Sequence, residues 1–127
     1  MRRVALLLMV LFAFAVAGCG SSKTYSLEDT KACLHSRGAQ IGGKLDFVAS
    51  TATGGAFEAV IGDNSVKIVF GETEGDAEQI QLAYDHFANP NVKAGLPDVL
   101  RRDKNAVMLW KEHPQDVDVA LVTGCLK

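Results

Sequence analysis

The chain has 127 residues, which is enough for one domain and too short for two ordinary ones. Its composition, 48% hydrophobic and 22% charged, is typical of a globular protein and excludes a disordered or fibrous chain. If Arg2 and Arg3 leave with a leader, the 13 basic residues fall to 11 against 15 acidic ones, a formal −4. A domain of that charge gains nothing from counterion release on nucleic acid and is not attracted to an anionic bilayer. We therefore expect no nucleic-acid partner, and only something other than charge can hold the protein at a membrane.

The first 18 residues have the pattern of an export signal. Arg2 and Arg3 form a positive start, and an almost unbroken apolar run follows from Val4 to Val16. A spanning helix needs roughly 20 apolar residues, so this shorter run predicts a signal peptide rather than a membrane span.

The segment Val16-Ala17-Gly18-Cys19 resembles the lipobox of bacterial lipoproteins, with Val16 where Leu is commonest. The resemblance implies cleavage after Gly18 and transfer of diacylglycerol to the thiol of Cys19. The mature protein would then be lipid-anchored on the extracytoplasmic side of the cell membrane or outer membrane. Each buried CH₂ of the anchor contributes about 0.8 kcal/mol. The alternative is an ordinary secretory leader with Cys19 as a free or paired thiol.

Residues 20–127 resemble small bacterial lipoproteins that carry no assigned activity, so this part of the resemblance implies no chemistry. Gly20 to Lys23 form a short tether that reaches about 14 Å when extended. The predicted organisation is a signal peptide at 1–18, a lipidated cysteine and tether at 19–25, and one globular domain at 26–127.

The three cysteines are accounted for if lipidation uses Cys19. Export leads to an oxidising compartment, where Cys33 and Cys125 can persist as a disulfide. The bridge would close a loop of about 93 residues, for which the chain-entropy model gives roughly 4–5 kcal/mol. The alternative is a pair of buried free thiols. No Cys-x-x-Cys pattern occurs, which argues against a thioredoxin-like redox centre.

The first elements of the domain follow from capping and periodicity. Ser26 begins a capping-box pattern and Gly38 supplies a stop, which predicts a helix over about 27–37. A glycine pair then makes a turn, and Leu45 to Ser50 are expected to form a short strand.

Two alternating apolar runs flank a Gly-Asp-Asn turn and predict a β-hairpin over 56–70. The apolar positions of the two runs are Phe57, Ala59 and Ile61, then Val66, Ile68 and Phe70.

An acidic segment opens the next helix, predicted over 75–88 and ended by Asn89-Pro90. A calcium loop is a minor alternative for the acidic residues, because EF-hand spacing is absent. Residues 91–105 are expected to form a polar connection with one helical turn opened by Pro97. A strand at 106–110 and a helix at 114–125, begun by His113-Pro114, complete the chain.

These elements predict an α+β fold in which a small antiparallel sheet of three or four strands, with the hairpin at its centre, carries the helices on one face. The arrangement loosely resembles the ferredoxin-like fold. That resemblance implies no function.

No catalytic or metal constellation is evident. The histidines, His35, His86 and His113, lack zinc spacing, and no G-x-S-x-G occurs. The pairs Asp85-His86 and Glu112-His113 are sequence neighbours, which do not face each other on a helix. We expect no catalytic residue, no metal and no cofactor.

Two weaker site interpretations stay open. The small, polar segment 51–55 could offer backbone amides to an anion, although a plain turn is the simpler interpretation. Trp110, with the three residues after it, would either be core or border a groove.

The sequence therefore favours a small membrane-anchored module of the cell envelope with a binding or interaction role, for which an envelope protein is a possible partner. The alternative is an envelope hydrolase whose site the sequence does not reveal, and an accessory subunit with a structural role is a third hypothesis.

Overall fold

A computed structural model describes residues 23–127 as an α+β fold with a five-stranded antiparallel sheet and six helices. The predicted leader, the cleavage at Gly18 and the lipidation of Cys19 lie outside these residues. In chain order the elements are α1 (Leu27–Ser36), β1 (Gln40–Ile41), α2 (Phe47–Ser50), β2 (Ala56–Ile61), β3 (Asn64–Phe70), α3 (Glu74–Phe87), α4 (Pro90–Lys93), α5 (Leu96–Val99), β4 (Leu100–Asp103), β5 (Ala106–Trp110) and α6 (Asp116–Cys125).

The sheet is built around the predicted hairpin, which is confirmed. Strands β2 and β3 pair from Ala56↔Val69 to Ile61↔Asn64, and Gly62 takes φ +59° in the turn, a conformation that glycine adopts without strain. The full strand order is β1-β2-β3-β5-β4, with antiparallel neighbours throughout. The expected three or four strands are therefore five.

Helices cover both faces of this sheet, so the predicted one-sided layout is wrong and the ferredoxin-like arrangement is not confirmed. A larger core lies between one face and helices α1 and α6, and it contains Leu34, Val66, Ile68, Phe70, Met108, Trp110 and Val122. A smaller core lies between the other face and α3, with α2 and α5 beside it, and it contains Ala49, Val69, Ala77, Ile80, Tyr84, Leu96 and Val107. Ile68 and Val69 are adjacent in β3 and fully buried on opposite faces, which is the behaviour of a strand between two layers.

Helices α1 and α3 confirm the sequence predictions within the usual one or two residues. The Ser26 hydroxyl accepts a hydrogen bond from the Asp29 amide at the start of α1. Thr73 and Asp76 form a reciprocal capping box at the start of α3. These side chains satisfy amides that have no partner within the helix, which explains where each helix begins.

The expected strand over 45–50 is wrong, because Asp46 caps a short helix there instead. Its Oδ1 accepts the Ala49 amide at 2.8 Å and fixes α2 over Phe47–Ser50. An aspartate before a small apolar run favours a helix start over a strand.

The polar connection predicted at 91–105 is also partly wrong. It contains α4, the predicted helical turn α5, and the edge strand β4, which pairs with β5 through Leu100↔Leu109 to Asp103↔Ala106. The last helix begins at Asp116 rather than at 114, since Pro114 is buried outside it.

The two ends of the domain are held together at one end of the sheet. Cys33 and Cys125 lie at disulfide distance, with an S–S separation of 2.11 Å and a Cα–Cα separation of 5.4 Å, as predicted. Buried Asn105 binds both the amide and the carbonyl of Tyr25, and the Lys127 carbonyl accepts from the Ser26 amide. Within residues 23–127 no helix combines the length and apolar composition needed to cross a bilayer.

Candidate binding groove

A groove of about 730 Å³ opens on the sheet face that carries α3. Its floor is formed by β3 and β5 residues that include Ser65, Lys67 and Leu109. Helices α2, α3, α4 and α5 supply its walls, mainly through Phe47, Val48, Phe87, Val92, Leu96 and Val99. Sites for small ligands typically enclose roughly 300–1,000 Å³ with apolar walls and a few placed polar groups, and this groove fits that description.

The polar centre of the groove is the carboxylate of Asp46. It accepts a hydrogen bond from Lys67 Nζ at 3.0 Å and from the Tyr84 hydroxyl at 3.0 and 3.1 Å, in addition to the Ala49 amide. We call Asp46, Lys67 and Tyr84 the polar cluster. Because its members come from the start of α2, from β3 and from α3, the cluster ties one wall of the groove to its floor.

Electrostatics fix the protonation of the cluster. Burial acts to raise the pKa of Asp46, but the Ala49 amide, the hydrogen bonds from Lys67 and Tyr84 and the Lys67 charge outweigh it, so that this pKa is lowered. Burial first, and then the Asp46 charge and hydrogen bond, raise the pKa of Tyr84 far above its usual range. At neutral pH the cluster therefore contains a carboxylate and a neutral phenol that donates to it.

The mouth of the groove exposes large apolar side chains. Phe47 is 74% exposed, Phe87 is 67% exposed and Val92 is 52% exposed. Single exposed apolar residues are ordinary on a protein surface, whereas several around one concavity indicate a contact site.

The charged residues around the groove have an excess of positive charge. Lys44, Lys67 and Lys111 line it together with Asp46 and Glu58. Of these, Lys67 and Asp46 form an ion pair at 3.0 Å, and Glu58 stands opposite Lys67 in the β2–β3 register. The structure gives Lys44 and Lys111 no ion pair with any residue in 23–127.

The segment 51–55 does not provide a free anion cradle. The Gly54 amide donates to the Phe70 carbonyl and the Gly55 amide to the Ala52 carbonyl. The Thr53 hydroxyl donates to the carboxylate of Asp76, which also caps α3. The Asp76 carboxylate therefore already binds the Thr53 hydroxyl of this segment, and the turn interpretation is the better one.

The histidines lie away from the groove. His113 Nδ1 lies 2.7 Å from Asp98 Oδ1, but both side chains are at least half exposed. Asp85 and His86, which are neighbours in the sequence, do not form a catalytic pair, because the Asp85 carboxylate forms an ion pair with Lys93 at 3.6 Å. Across the described residues no three His, Cys, Asp or Glu side chains are grouped so as to hold a metal ion.

Trp110 and Lys111 are among the residues that line the groove, but the core interpretation of the Trp110 side chain is the one that the structure supports. The Trp110 indole belongs to the larger core on the opposite face, where its Nε1 is buried without a hydrogen-bond partner. The other polar residues of the groove were not predicted. Lys67 has the pattern of a solvent-facing residue of the hairpin, and Tyr84 that of a member of a helical stripe. The capping pattern at Asp46 was the one local signal.

Comparisons of the chain with protein-family models, with curated proteins and with solved structures give no match. Any assignment of function therefore depends on the geometry and chemistry of the groove.

Proposed function

We propose that the protein is a lipid-anchored module of the bacterial cell envelope that binds its ligand in the groove above the polar cluster. The observation that carries the proposal is the combination of a 730 Å³ concavity, apolar walls and one hydrogen-bonded polar centre. The leader and the lipobox-like segment before Cys19 support the anchor and its extracytoplasmic side.

The position of the groove suits such an anchor. The predicted tether leads into the domain at Tyr25, whose amide donates a hydrogen bond to the Asn105 side chain. Asn105 in turn donates to the Gly71 carbonyl, directly after the end of β3. The β3 residues that line the groove, Ser65 and Lys67, lie instead near the beginning of the strand. Seven strand residues span about 20 Å, so a domain held through Cys19 would present the groove on the side away from the bilayer.

Within residues 23–127, the His113–Asp98 pair is the one arrangement that favours the alternative function, an envelope hydrolase. A histidine oriented by a carboxylate needs a nucleophile within hydrogen-bond reach. The structure shows no Ser, Thr or Cys bonded to His113 among residues 23–127, and neither His113 nor Asp98 lines the groove. Binding is therefore the better supported function.

The anchor is tested by replacing Cys19 with alanine in the full chain and fractionating the cells. We expect the wild type in the membrane fraction, with a mass that includes the lipid, and the variant outside that fraction. Unchanged membrane association and mass would contradict the anchor.

The groove is tested with two matched substitutions in the anchored protein. Val92→Asp places a carboxylate at the mouth of the groove, and Val117→Asp places one on α6, where Val117 is 69% exposed. We expect native mass spectrometry of protein extracted from the envelope to show a co-purifying molecule in the wild type and in the Val117 variant only. Equal retention by both variants would contradict the groove as the binding site.

A further inference from the structure

We propose that the groove takes an anionic amphiphile with a single alkyl chain, of the fatty-acid type, whose head group binds near Lys67. This inference rests on the proposed function and names the ligand class for the same groove. Three features carry it: the composition of the walls, the unused hydrogen-bond donors at the centre, and the sign of the surrounding charge.

The walls suit a flexible alkyl chain. The residues that four helices bring to the groove above Leu109 are mainly aliphatic or phenylalanine, and they include Phe47, Phe87, Val92, Leu96 and Val99. Apart from the polar cluster and the lysines at its edge, the groove offers few partners for hydrogen bonds along its length. A peptide backbone laid there would leave its amides and carbonyls without partners, which is costly. An alkyl chain has no such groups.

Within the polar cluster, Lys67 has unused hydrogen-bond donors, whereas the Asp46 carboxylate is already engaged by several donors. The Asp46 carboxylate accepts from Ala49, Lys67 and Tyr84. An ammonium group carries three N–H donors, and Lys67 uses one of them on Asp46, which leaves two for a ligand. A carboxylate or phosphate monoester accepts such donors, whereas a cationic head does not.

The surrounding charge favours the same head group. Lys44, Lys67 and Lys111 outnumber Asp46 and Glu58 around the groove, although acidic residues outnumber basic ones 15 to 13 in the whole chain. The groove is therefore locally positive on a negative protein, which attracts and orients an anion. The same charges oppose a second copy of this chain as the occupant, because a two-fold interface would bring the lysines of both grooves together.

The test uses the oxidised segment 23–127, which contains the five strands, both cores and the disulfide. A cooperative urea transition of this segment first establishes that it folds without the anchor. Titration calorimetry compares octanoate, decanoate and decyltrimethylammonium below their micelle concentrations. We expect one decanoate per chain. Burial of about 0.8 kcal/mol per CH₂ predicts that octanoate binds roughly tenfold or more weakly than decanoate. The cation is expected to bind at least tenfold more weakly than decanoate.

Matched variants locate the site. Val92→Asp is expected to weaken decanoate binding at least tenfold, and Lys111→Gln several-fold, while Val117→Asp leaves it unchanged. Equal affinity for the cation, affinity independent of chain length, or equal effects of the Val92 and Val117 variants would overturn the inference. Ligand-induced or concentration-dependent dimerisation in light scattering, blocked by Val92→Asp, would also overturn it by assigning the groove to a second copy.

Failure of this inference is distinguishable from failure of the proposed function. If decanoate does not bind but the anchored protein still retains an envelope molecule that Val92→Asp abolishes, only the ligand class is wrong. If neither decanoate nor any Val92-dependent molecule is found, the groove is not a binding site and both proposals fall.

Discussion

Replacing Asp46 with alanine removes the side chain that organises the groove and is expected to destabilise the domain. The substitution deletes the cap of α2, the ion pair with Lys67 and both acceptors of the Tyr84 hydroxyl. Because Tyr84 is 8% exposed, its hydroxyl would be left largely buried without a partner.

The decrease in the free energy of unfolding follows from the loss of these three interactions. Loss of an aspartate cap costs about 1 kcal/mol, and an unsatisfied buried hydroxyl costs about 1–3 kcal/mol. The ion pair adds less than about 1 kcal/mol, since the side chains of Lys67 and Asp46 are 26% and 32% exposed and solvent screens them. The losses share partners and are not additive. We therefore expect Asp46→Ala to lower the free energy of unfolding by about 2–4 kcal/mol. Asp46→Asn, which retains the cap and an acceptor for Tyr84, should lower it by about 1 kcal/mol.

Equilibrium unfolding in urea measures both variants, with the slope of the transition as the check that only stability has changed. Asp85→Ala is the matched control, because the Asp85–Lys93 pair is more than half exposed and its loss should change stability by less than about 0.5 kcal/mol. If Asp46→Ala unfolds at the urea concentration of the wild type, or if the alanine and asparagine variants are equally destabilised, the structural role assigned to Asp46 is wrong.

Three further predictions concern stability. Replacing both Cys33 and Cys125 with alanine should cost about 2–5 kcal/mol in urea unfolding, because the bridge spans 92 positions of the chain; two alkylatable thiols in the non-reduced wild type would contradict the pairing. Asn105→Ala should cost about 2–4 kcal/mol and speed hydrogen exchange at the Tyr25 amide, which donates to the Asn105 side chain at 2.6 Å; unchanged exchange would show that this contact does not hold the entering chain. The lowered pKa of Asp46 means that its ionised form stabilises the fold above the unfolded pKa near 3.8, and that this contribution disappears as the pH falls through the folded pKa. The stability difference between wild type and Asp46→Asn should therefore be full at about pH 6–7 and shrink below about pH 4; a constant difference across this range would contradict the assignment.

The parts of the fold that local chemistry determines were predictable from the sequence. Helix α1 begins at a capping serine, helix α3 has acidic residues in its first turn, and the hairpin alternates apolar and polar residues around a glycine turn. Each signal lies within a few residues of the element it specifies. The cysteine pair was predictable by elimination, because one of the three cysteines lies in the segment that resembles a lipobox, which leaves two.

The layer arrangement was not predictable in this way. Whether α3 and α6 share a face depends on contacts between residues far apart in the chain, such as Val69 with α3 and Ile68 with the opposite layer. The buried pair Ile68-Val69 was the available hint, since a strand with only one covered face seldom buries adjacent side chains. Strand β4 was missed because its charged residues, Arg101, Arg102 and Asp103, suit an edge strand as well as a loop.

The groove could not be predicted from the sequence for the same reason. Asp46, Lys67 and Tyr84 are separated by 21 and 17 positions along the chain, and none belongs to a motif. Lys67 alternates with buried neighbours and Tyr84 continues an apolar stripe, so each has an ordinary structural explanation on its own. Only the packing of α2 and α3 on the same side of β3 brings them together.

The most direct test of the binding groove is nuclear Overhauser spectroscopy on isotope-labelled protein mixed with unlabelled decanoate. We expect contacts from the alkyl protons to the methyl groups of Val92, Leu96 and Val99, with none to Val117 on the opposite layer. Contacts confined to Val117 or to other side chains of α6, or the absence of contacts to the groove methyls at saturating decanoate, would contradict the proposed site.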